Sequence, residues 1–269
     1  MVQGQRPDLY QQGATPRRGH EHQIDINMAK LLFRLFIPIV LGISLALNVA
    51  LYSQSQTYYT ESSAVRLDPI GLNIVWPAVT SGDKPIAVLF GDSRAAMWTA
   101  PSEFLPEWYF VKRGIGNQTS VQAAARFEAH VAALKPRLVI IQVGINDLKA
   151  IPLFPERKAE IIANCIANIH GLVERTRAIG SHVIVSTIFP LGDIPLTRRL
   201  VWSADVSEAL DEVNLAIRGL AGDGVQILDT GVVLSDERGL VRREYQFDFL
   251  HINEAGYSAL NAELIKLLR

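Results

Sequence analysis

From Leu35 to Tyr52 the chain runs for eighteen residues without a charge, Leu-Phe-Ile-Pro-Ile-Val-Leu-Gly-Ile-Ser-Leu-Ala-Leu-Asn-Val-Ala-Leu-Tyr. As a helix this run is about 27 Å long at 1.5 Å per residue, close to the roughly 30 Å of a bilayer's hydrocarbon core. Met28 to Phe33 extend it if Lys30 and Arg34 snorkel. A buried core helix would show polar residues recurring on one face, and none recur here. A cleaved signal peptide needs small residues at both key positions before the cut; the nearest candidate, Asn48-Val49-Ala50, has asparagine at the first, and the region before it is long. The segment is therefore predicted to be an uncleaved single-pass transmembrane helix over residues 31–52. Arg6, Arg17, Arg18, Lys30 and Arg34 precede the span, whereas Arg66 is the one basic residue in the thirty that follow. That asymmetry keeps the amino end in the cytoplasm and puts everything after residue 53 on the extracytoplasmic, periplasmic side of the cell (inner) membrane.

The flanks differ from the span and from each other. Residues 1–30 are mostly rich in Gln, Gly, Arg and His without apolar periodicity, which predicts a disordered cytoplasmic tail. Residues 53–83 are polar and then punctuated by Pro69, Gly71, Pro77 and Gly82, which predicts a stalk ending in a few packed residues. With 26 basic and 27 acidic residues the net charge is −1, so binding driven by nucleic-acid phosphates is not expected. Cys165 is the single cysteine and permits neither an internal disulfide nor a thiolate metal site. Ile161, Ile162, Ile166 and Ile169 surround it at helical spacing, so it reads as core.

After residue 84 the pattern becomes regular. Apolar, β-branched runs at Ile86–Phe90, Trp108–Lys112, Leu138–Val143, His182–Ile188 and Val225–Leu228 each suit a strand buried on both faces. Helical stretches lie between them at about 120–134, 156–179 and 204–221, and a last one runs from Glu254 to Leu268. Strands alternating with helices predict a parallel sheet covered on both faces, a three-layer α/β domain over residues 84–269. Sites in such sheets form at the carboxyl ends of strands.

Polar clusters stand where that rule looks for them. Gly91-Asp92-Ser93-Arg94 follows the first run, Gly144-Ile145-Asn146-Asp147 follows the third, and Asp248-Phe249-Leu250-His251 lies late in the chain. Each alone is a common composition; in this order and placement they are far more specific. They fit nucleophilic acyl transfer. A serine hydroxyl attacks only when an imidazole takes its proton, and a carboxylate must fix the imidazole's tautomer. Ser93, His251 and Asp248 supply these groups, and one turn brings Asp248 and His251 to the same side. The side-chain amide of Asn146 can serve the developing oxyanion.

From about residue 84 the chain resembles the SGNH hydrolases, the GDSL-type esterases and lipases, in four motif blocks in the family's order. The resemblance implies a flavodoxin-like α/β/α sandwich with a five-stranded parallel sheet. It implies Ser93 as nucleophile, Asp248 and His251 as the rest of the triad, and Asn146 with the Ser93 amide as oxyanion donors. The second block, Arg113-Gly114-Ile115-Gly116-Asn117-Gln118-Thr119, departs from the pattern: Asn117 stands where a glycine usually donates its N–H. Asparagine tolerates left-handed backbone and keeps the donor; a shift of one register makes Gly116 the donor.

Arg94 is a second departure. Its charge beside the serine is read as either substrate-binding, for an anionic or sugar substrate, or paired with a carboxylate of the fold. Asp92 and Asp147 read as turn and strand-end hydrogen-bonders, His130, His170 and His182 as surface or packed side chains, and Trp98 and Trp202 as buried rather than ligand-facing. No Gly-x-Ser-x-Gly elbow, phosphate-binding loop or Cys/His cluster occurs, so no metal or cofactor is expected. The sequence thus predicts a membrane-anchored serine esterase acting on small, short-acyl esters or an acylated glycan. Two alternatives stay open: an acetyl transferase or deacetylase of envelope polysaccharide, and a non-catalytic glycan- or partner-binding module, whose mark would be a broken triad. Protein partners are not legible.

Overall fold

In the computed structural model, which describes residues 18–198 and 202–269, each of the five apolar runs forms a strand. They are β1 Ile86–Gly91, β2 Tyr109–Gly114, β3 Leu138–Gln142, β4 His182–Ser186 and β5 Val225–Leu228. Every neighbouring pair is parallel, in the order β2-β1-β3-β4-β5. The α-helices are α1 Arg18–Leu67, α2 Ser93–Met97, α3 Ser120–Ala125, α4 Phe127–His130, α5 Ile145–Leu148, α6 Lys158–Ala178, α7 Asp205–Arg218, α8 Thr230–Leu234 and α9 Glu254–Leu268.

The strands are apolar throughout because successive residues face opposite layers and both layers are dry. Val88 and Phe90 of β1, Val139 and Ile141 of β3, and Val183 and Val185 of β4 enter one cluster with residues of α3, α4, α6 and α7. Ala87, Leu89, Leu138, Ile140 and Ile184 enter the other with Leu234 of α8 and Tyr257, Leu260 and Leu264 of α9. The stripe Ile162, Cys165, Ile169, Leu172 and Val173 makes α6 amphipathic and buries it. Gly180, at φ +78°, then turns the chain beyond it. Cys165 is core, as its neighbours predicted, and Trp98 is fully buried against Phe189 and Tyr257.

The strand order reverses direction at β1, since β2 lies on one side of it and β3 on the other. Open α/β sheets form their crevice at such a switch point, which singles out the segments after β1 and β3. Two glycines allow the close packing there. A Cβ on Gly91, whose φ is +152°, would lie 1.7 Å from the Gln142 carbonyl oxygen, and one on Gly114 would lie 2.1 Å from the Ala96 nitrogen. Only glycine lets β1, β3, β2 and α2 approach this closely.

Contacts divide the chain into Met1–Ala64 and Val65–Arg269. Helix α1 runs beyond the predicted helix at both ends: it starts by Arg18, within the expected tail, and continues past Tyr52 and out of the first unit to Leu67, through half of the expected stalk. Residues 1–17 of that tail lie outside the described residues. Lack of apolar periodicity suggested irregular flanks, but an apolar helix supplies the costly nucleus and each further residue then adds a hydrogen bond. No glycine or proline interrupts residues 53–67; Pro69 and Gly71 come just after the helix ends. The apolar residues from Leu31 to Tyr52 are exposed along this helix. It is the one helix among the described residues long and apolar enough to cross a membrane.

In the second unit, residues 68–83 are largely exposed but are held to the domain at a few points. The Asp68 carboxylate accepts from the Leu72 and Asn73 amides, Gln122 donates to the Pro69 carbonyl, and Trp76 lies under the Arg113 guanidinium at 4.6 Å.

Candidate active site

Ser93 is the first residue of α2. Asp92 caps that helix, its Oδ1 accepting from the Arg94 amide at 2.9 Å. Amides in a helix's first turn have no intrahelical acceptor, so the Ser93 N–H is available at the strand end. The Ser93 Oγ lies 2.9 Å from His251 Nε2. On the far side of the ring, His251 Nδ1 lies 2.9 and 3.1 Å from the two oxygens of Asp248.

The Asp-Phe-Leu-His stretch works as one turn. Asp248 Oδ1 accepts from the Leu250 amide at 2.7 Å and from the His251 amide at 2.8 Å, a side-chain-closed turn of the kind aspartate favours. Burial raises the Asp248 carboxyl, yet the bonds from His251 and the two amides outweigh it and hold the group below the usual carboxylate range. A carboxylate that stays ionised beside Nδ1 leaves Nε2 free to accept a proton from the hydroxyl.

The residues expected as oxyanion donors gather around the same strand ends. Asn117 has φ +62°, the left-handed backbone its position called for, and is exposed. Asn146, in α5 after β3, is buried, and its Nδ2 donates to the main-chain carbonyl of Gln118 at 2.9 Å. An amide NH₂ has two hydrogens; one holds Asn146 to the Asn117 loop and the other is free to face a ligand. Gly116 is exposed and lies outside the left-handed region. Asp147 accepts from the amide and hydroxyl of Ser120 at 2.8 and 2.6 Å, pinning α5 to α3. Asp92 and Asp147 are thus the hydrogen-bonders they were predicted to be.

Arg94 overturns one of its expected roles: it is fully buried, so it offers no charge to a substrate. Its charge acts on the Asp92 and Asp248 carboxylates, although among the described residues no ion pair within 4 Å joins it to either. Its Nε donates to the Leu250 carbonyl at 2.9 Å, its Nη1 to the Phe189 carbonyl at 3.2 Å, and its guanidinium lies 5.0 Å over the Phe189 ring. A charge next to a motif serine reads as exposed because arginine is rarely buried. Here α9 and the strand-end loops close over it.

Two polar residues escaped the sequence reading. Arg126, between α3 and α4, and Gln118 are both buried, and Gln118 accepts from Arg126 Nε. The only available signal was a charge within Ala-Ala-Ala-Arg-Phe, a stretch otherwise suited to packing. His130 packs beside them, edge-on to Trp76; burial, then the Arg126 and Arg113 charges, lower its pKa to about 4.

Next to Asn146 opens a cleft of about 480 Å³ lined by Thr119, Asn146, Ala150, Phe154, Asn164 and Asn168. A larger cleft of about 880 Å³ between α6 and α7 is lined by none of the motif residues. Among the described residues, no group of three or more His, Cys, Asp or Glu side chains is arranged to hold a metal ion.

Residues 89–259 match the model of the GDSL-like lipase/acylhydrolase family. Platelet-activating factor acetylhydrolase IB subunit alpha2 of Homo sapiens is 30% identical over 193 residues, which span 69% of this chain and 77% of that protein. Among solved structures, a GDSL-like lipase from Bacteroides thetaiotaomicron superposes with a TM-score of 0.54 at 22% identity, covering 80% of this chain and 98% of that one. An acetylxylan esterase from Geobacillus stearothermophilus gives 0.54 at 19% identity, covering 70% and 95%.

Proposed function

The chain belongs to the GDSL-like lipase/acylhydrolase family, and on that premise we propose that it is a membrane-anchored serine esterase in which Ser93 is the nucleophile. His251 Nε2 takes the hydroxyl proton as Ser93 Oγ attacks the ester carbonyl. The amides of Ser93 and Asn117 and the Asn146 side chain hold the resulting oxyanion. As the tetrahedral intermediate collapses, the same proton passes to the departing alcohol and leaves an acyl-serine. Water, deprotonated by His251, attacks in turn and releases the carboxylic acid, returning the proton to Ser93. The observation that carries this reading is the unbroken hydrogen-bond chain Ser93 Oγ, His251 Nε2, His251 Nδ1, Asp248.

A short acyl group, such as acetyl, is favoured by the name of the 30%-identical acetylhydrolase. A second reading of the alcohol side, an acylated glycan, is favoured by the cleft beside Asn146. Phe154 there is nearly half exposed, and the amides of Asn164 and Asn168 stand near it; an apolar ring flanked by amides suits a sugar. The apolar stretch of α1 and the basic residues on its amino-terminal side support an extracytoplasmic domain on a single-pass anchor.

The test uses the full-length chain in detergent. It is expected to hydrolyse p-nitrophenyl acetate and to react with a fluorophosphonate, and Ser93→Ala should abolish both, lowering turnover on the order of 10⁶-fold. Hydrolysis that survives in Ser93→Ala sinks the assignment. With an acetylated glycan and an added alcohol, release of free acetate alone separates hydrolysis from transfer.

A further inference from the structure

Arg126 presents an arginine side chain with no solvent exposure and, among the described residues, no ion pair. Burying a guanidinium without a carboxylate is expensive unless its donors are met, and here neutral acceptors meet them. Its Nη2 donates to the Gly91 carbonyl at 2.7 Å, its Nη1 to the Arg113 carbonyl at 2.9 Å, and its Nε to Gln118 Oε1. Nη1 also lies 3.2 Å from His130 Nδ1, and the Phe90 ring closes one face at 4.3 Å.

The identity of the acceptors is informative. Gly91 ends β1 two residues before Ser93. Arg113 lies near the end of β2, on the strand leading to Asn117. Gln118 follows Asn117, and its main-chain carbonyl holds Asn146 Nδ2. One planar group therefore bonds directly to the two segments that deliver the Ser93 and Asn117 amides, and it reaches the Asn146 side chain through Gln118, whose main-chain carbonyl holds Asn146 Nδ2. A folding role alone would need its bonds met anywhere; these are met at the end of β1 and along β2 and its loop, whose relative spacing sets the Ser93 and Asn117 amides. The guanidinium is suited to this, since its five N–H groups point outward in one rigid plane. A lysine could reach one or two of these acceptors but could not fix their spacing.

We infer that Arg126 is the positioning residue of the oxyanion hole, setting the distances among the Ser93, Asn117 and Asn146 donors without touching substrate. The inference rests on the esterase reading above and adds to it a residue that acts only when charge develops on the carbonyl oxygen. Positioning of this kind acts on the transition state and leaves ground-state binding alone.

The experiment compares full-length chain in detergent with Arg126→Lys, Gln118→Leu and Ser93→Ala, measuring kcat and KM on p-nitrophenyl acetate and the rate of fluorophosphonate labelling. Arg126→Lys is expected to lower kcat about 10²-fold, as misplacement by about 1 Å does, with KM little changed. Labelling should slow in proportion, because the phosphonyl oxygen occupies the same hole. Gln118→Leu removes one neutral acceptor and should lower kcat about tenfold. A folded Arg126→Lys that turns over and labels like the unsubstituted chain, or whose loss lies in KM alone, overturns the inference. If Arg126→Lys fails to fold, Gln118→Leu decides, and an unchanged kcat there overturns it. Ser93→Ala separates the two levels. Activity in that variant defeats the esterase reading itself, whereas an inert Ser93→Ala beside a fully active Arg126→Lys defeats only the role of Arg126.

Discussion

Arg94 Nε donates to the carbonyl oxygen of Leu250 at 2.9 Å, so the residue after the nucleophile holds the residue before the histidine. The Arg94 carbonyl in turn accepts from the Tyr257 hydroxyl at 2.9 Å, which ties α2 to α9. The imidazole and the hydroxyl are thereby registered by a buried guanidinium rather than by a surface loop alone. Arg94→Met, which keeps the bulk and loses the donors, should lower kcat by about 10²-fold through misplacement of His251. Because Arg94 is buried, the loss should be equal for a neutral and an anionic ester. A larger loss on the anionic ester would restore the substrate-binding role and contradict the structure.

Asp248 carries two functions on different atoms, and one substitution separates them. Oδ1 closes the turn on the Leu250 and His251 amides, while Oδ2 lies nearer His251 Nδ1. Asp248→Asn keeps a carbonyl oxygen for the turn but presents an NH₂ to the ring, which turns the imidazole to the wrong tautomer. Turnover should fall by about 10⁴-fold, with the melting temperature little changed. Retained turnover in a folded Asp248→Asn would remove Asp248 from the proton relay.

These contacts mark where the sequence was readable. The five strands were legible because burial on both faces forces continuous apolar runs, as in Val88, Leu89 and Phe90. The Asp248–His251 turn was legible because three-residue spacing is a local property. Arg94, Arg126 and Gln118 were not, because only the closed sheet brings their partners together: Arg94 meets the Leu250 and Phe189 carbonyls, Arg126 the Gly91 and Arg113 carbonyls, and Gln118 accepts from Arg126. Helices α2, α5 and α8 escaped because four or five residues show no period. The extent of α1 escaped for the opposite reason, since a helix nucleated by an apolar run continues through polar sequence until a breaker stops it.

Asn117 and Asn146 should respond differently to substitution, since one contributes backbone and the other a side chain. Asn146→Ala removes a donor and should lower kcat by about 10²- to 10³-fold. Asn117→Gly keeps the N–H and suits φ +62°, so activity should persist. Asn117→Val keeps the N–H as well but is strained in left-handed backbone by about 1–2 kcal/mol, and both stability and kcat should drop. Equal activity in the glycine and valine variants would mean that the loop's conformation does not matter to the donor.

Asp92 gives the site a cost that depends on pH. It is fully buried, its Oδ2 has no hydrogen-bond partner, and burial, opposed by the Arg94 charge and amide, raises its pKa from 3.8 to about 6. The folded chain therefore holds this proton more tightly than the unfolded chain does. Between pH 3.8 and about 6 the native state binds more protons, so stability falls as pH rises through that window and is level above it. At 1.36 kcal/mol per pKa unit the whole fall is on the order of 2–3 kcal/mol. Asp92→Asn keeps the helix cap and removes the titration. Burying an unpaired NH₂ carries its own penalty, but that penalty is constant with pH and cancels when the difference between the two proteins is compared across pH. Thermal melts of both full-length chains in one detergent should show Asp92→Asn gaining on the unsubstituted protein from pH 4 to pH 7. Parallel curves would mean that the Asp92 carboxyl titrates alike in the folded and unfolded chains, and that its burial is relieved by a partner.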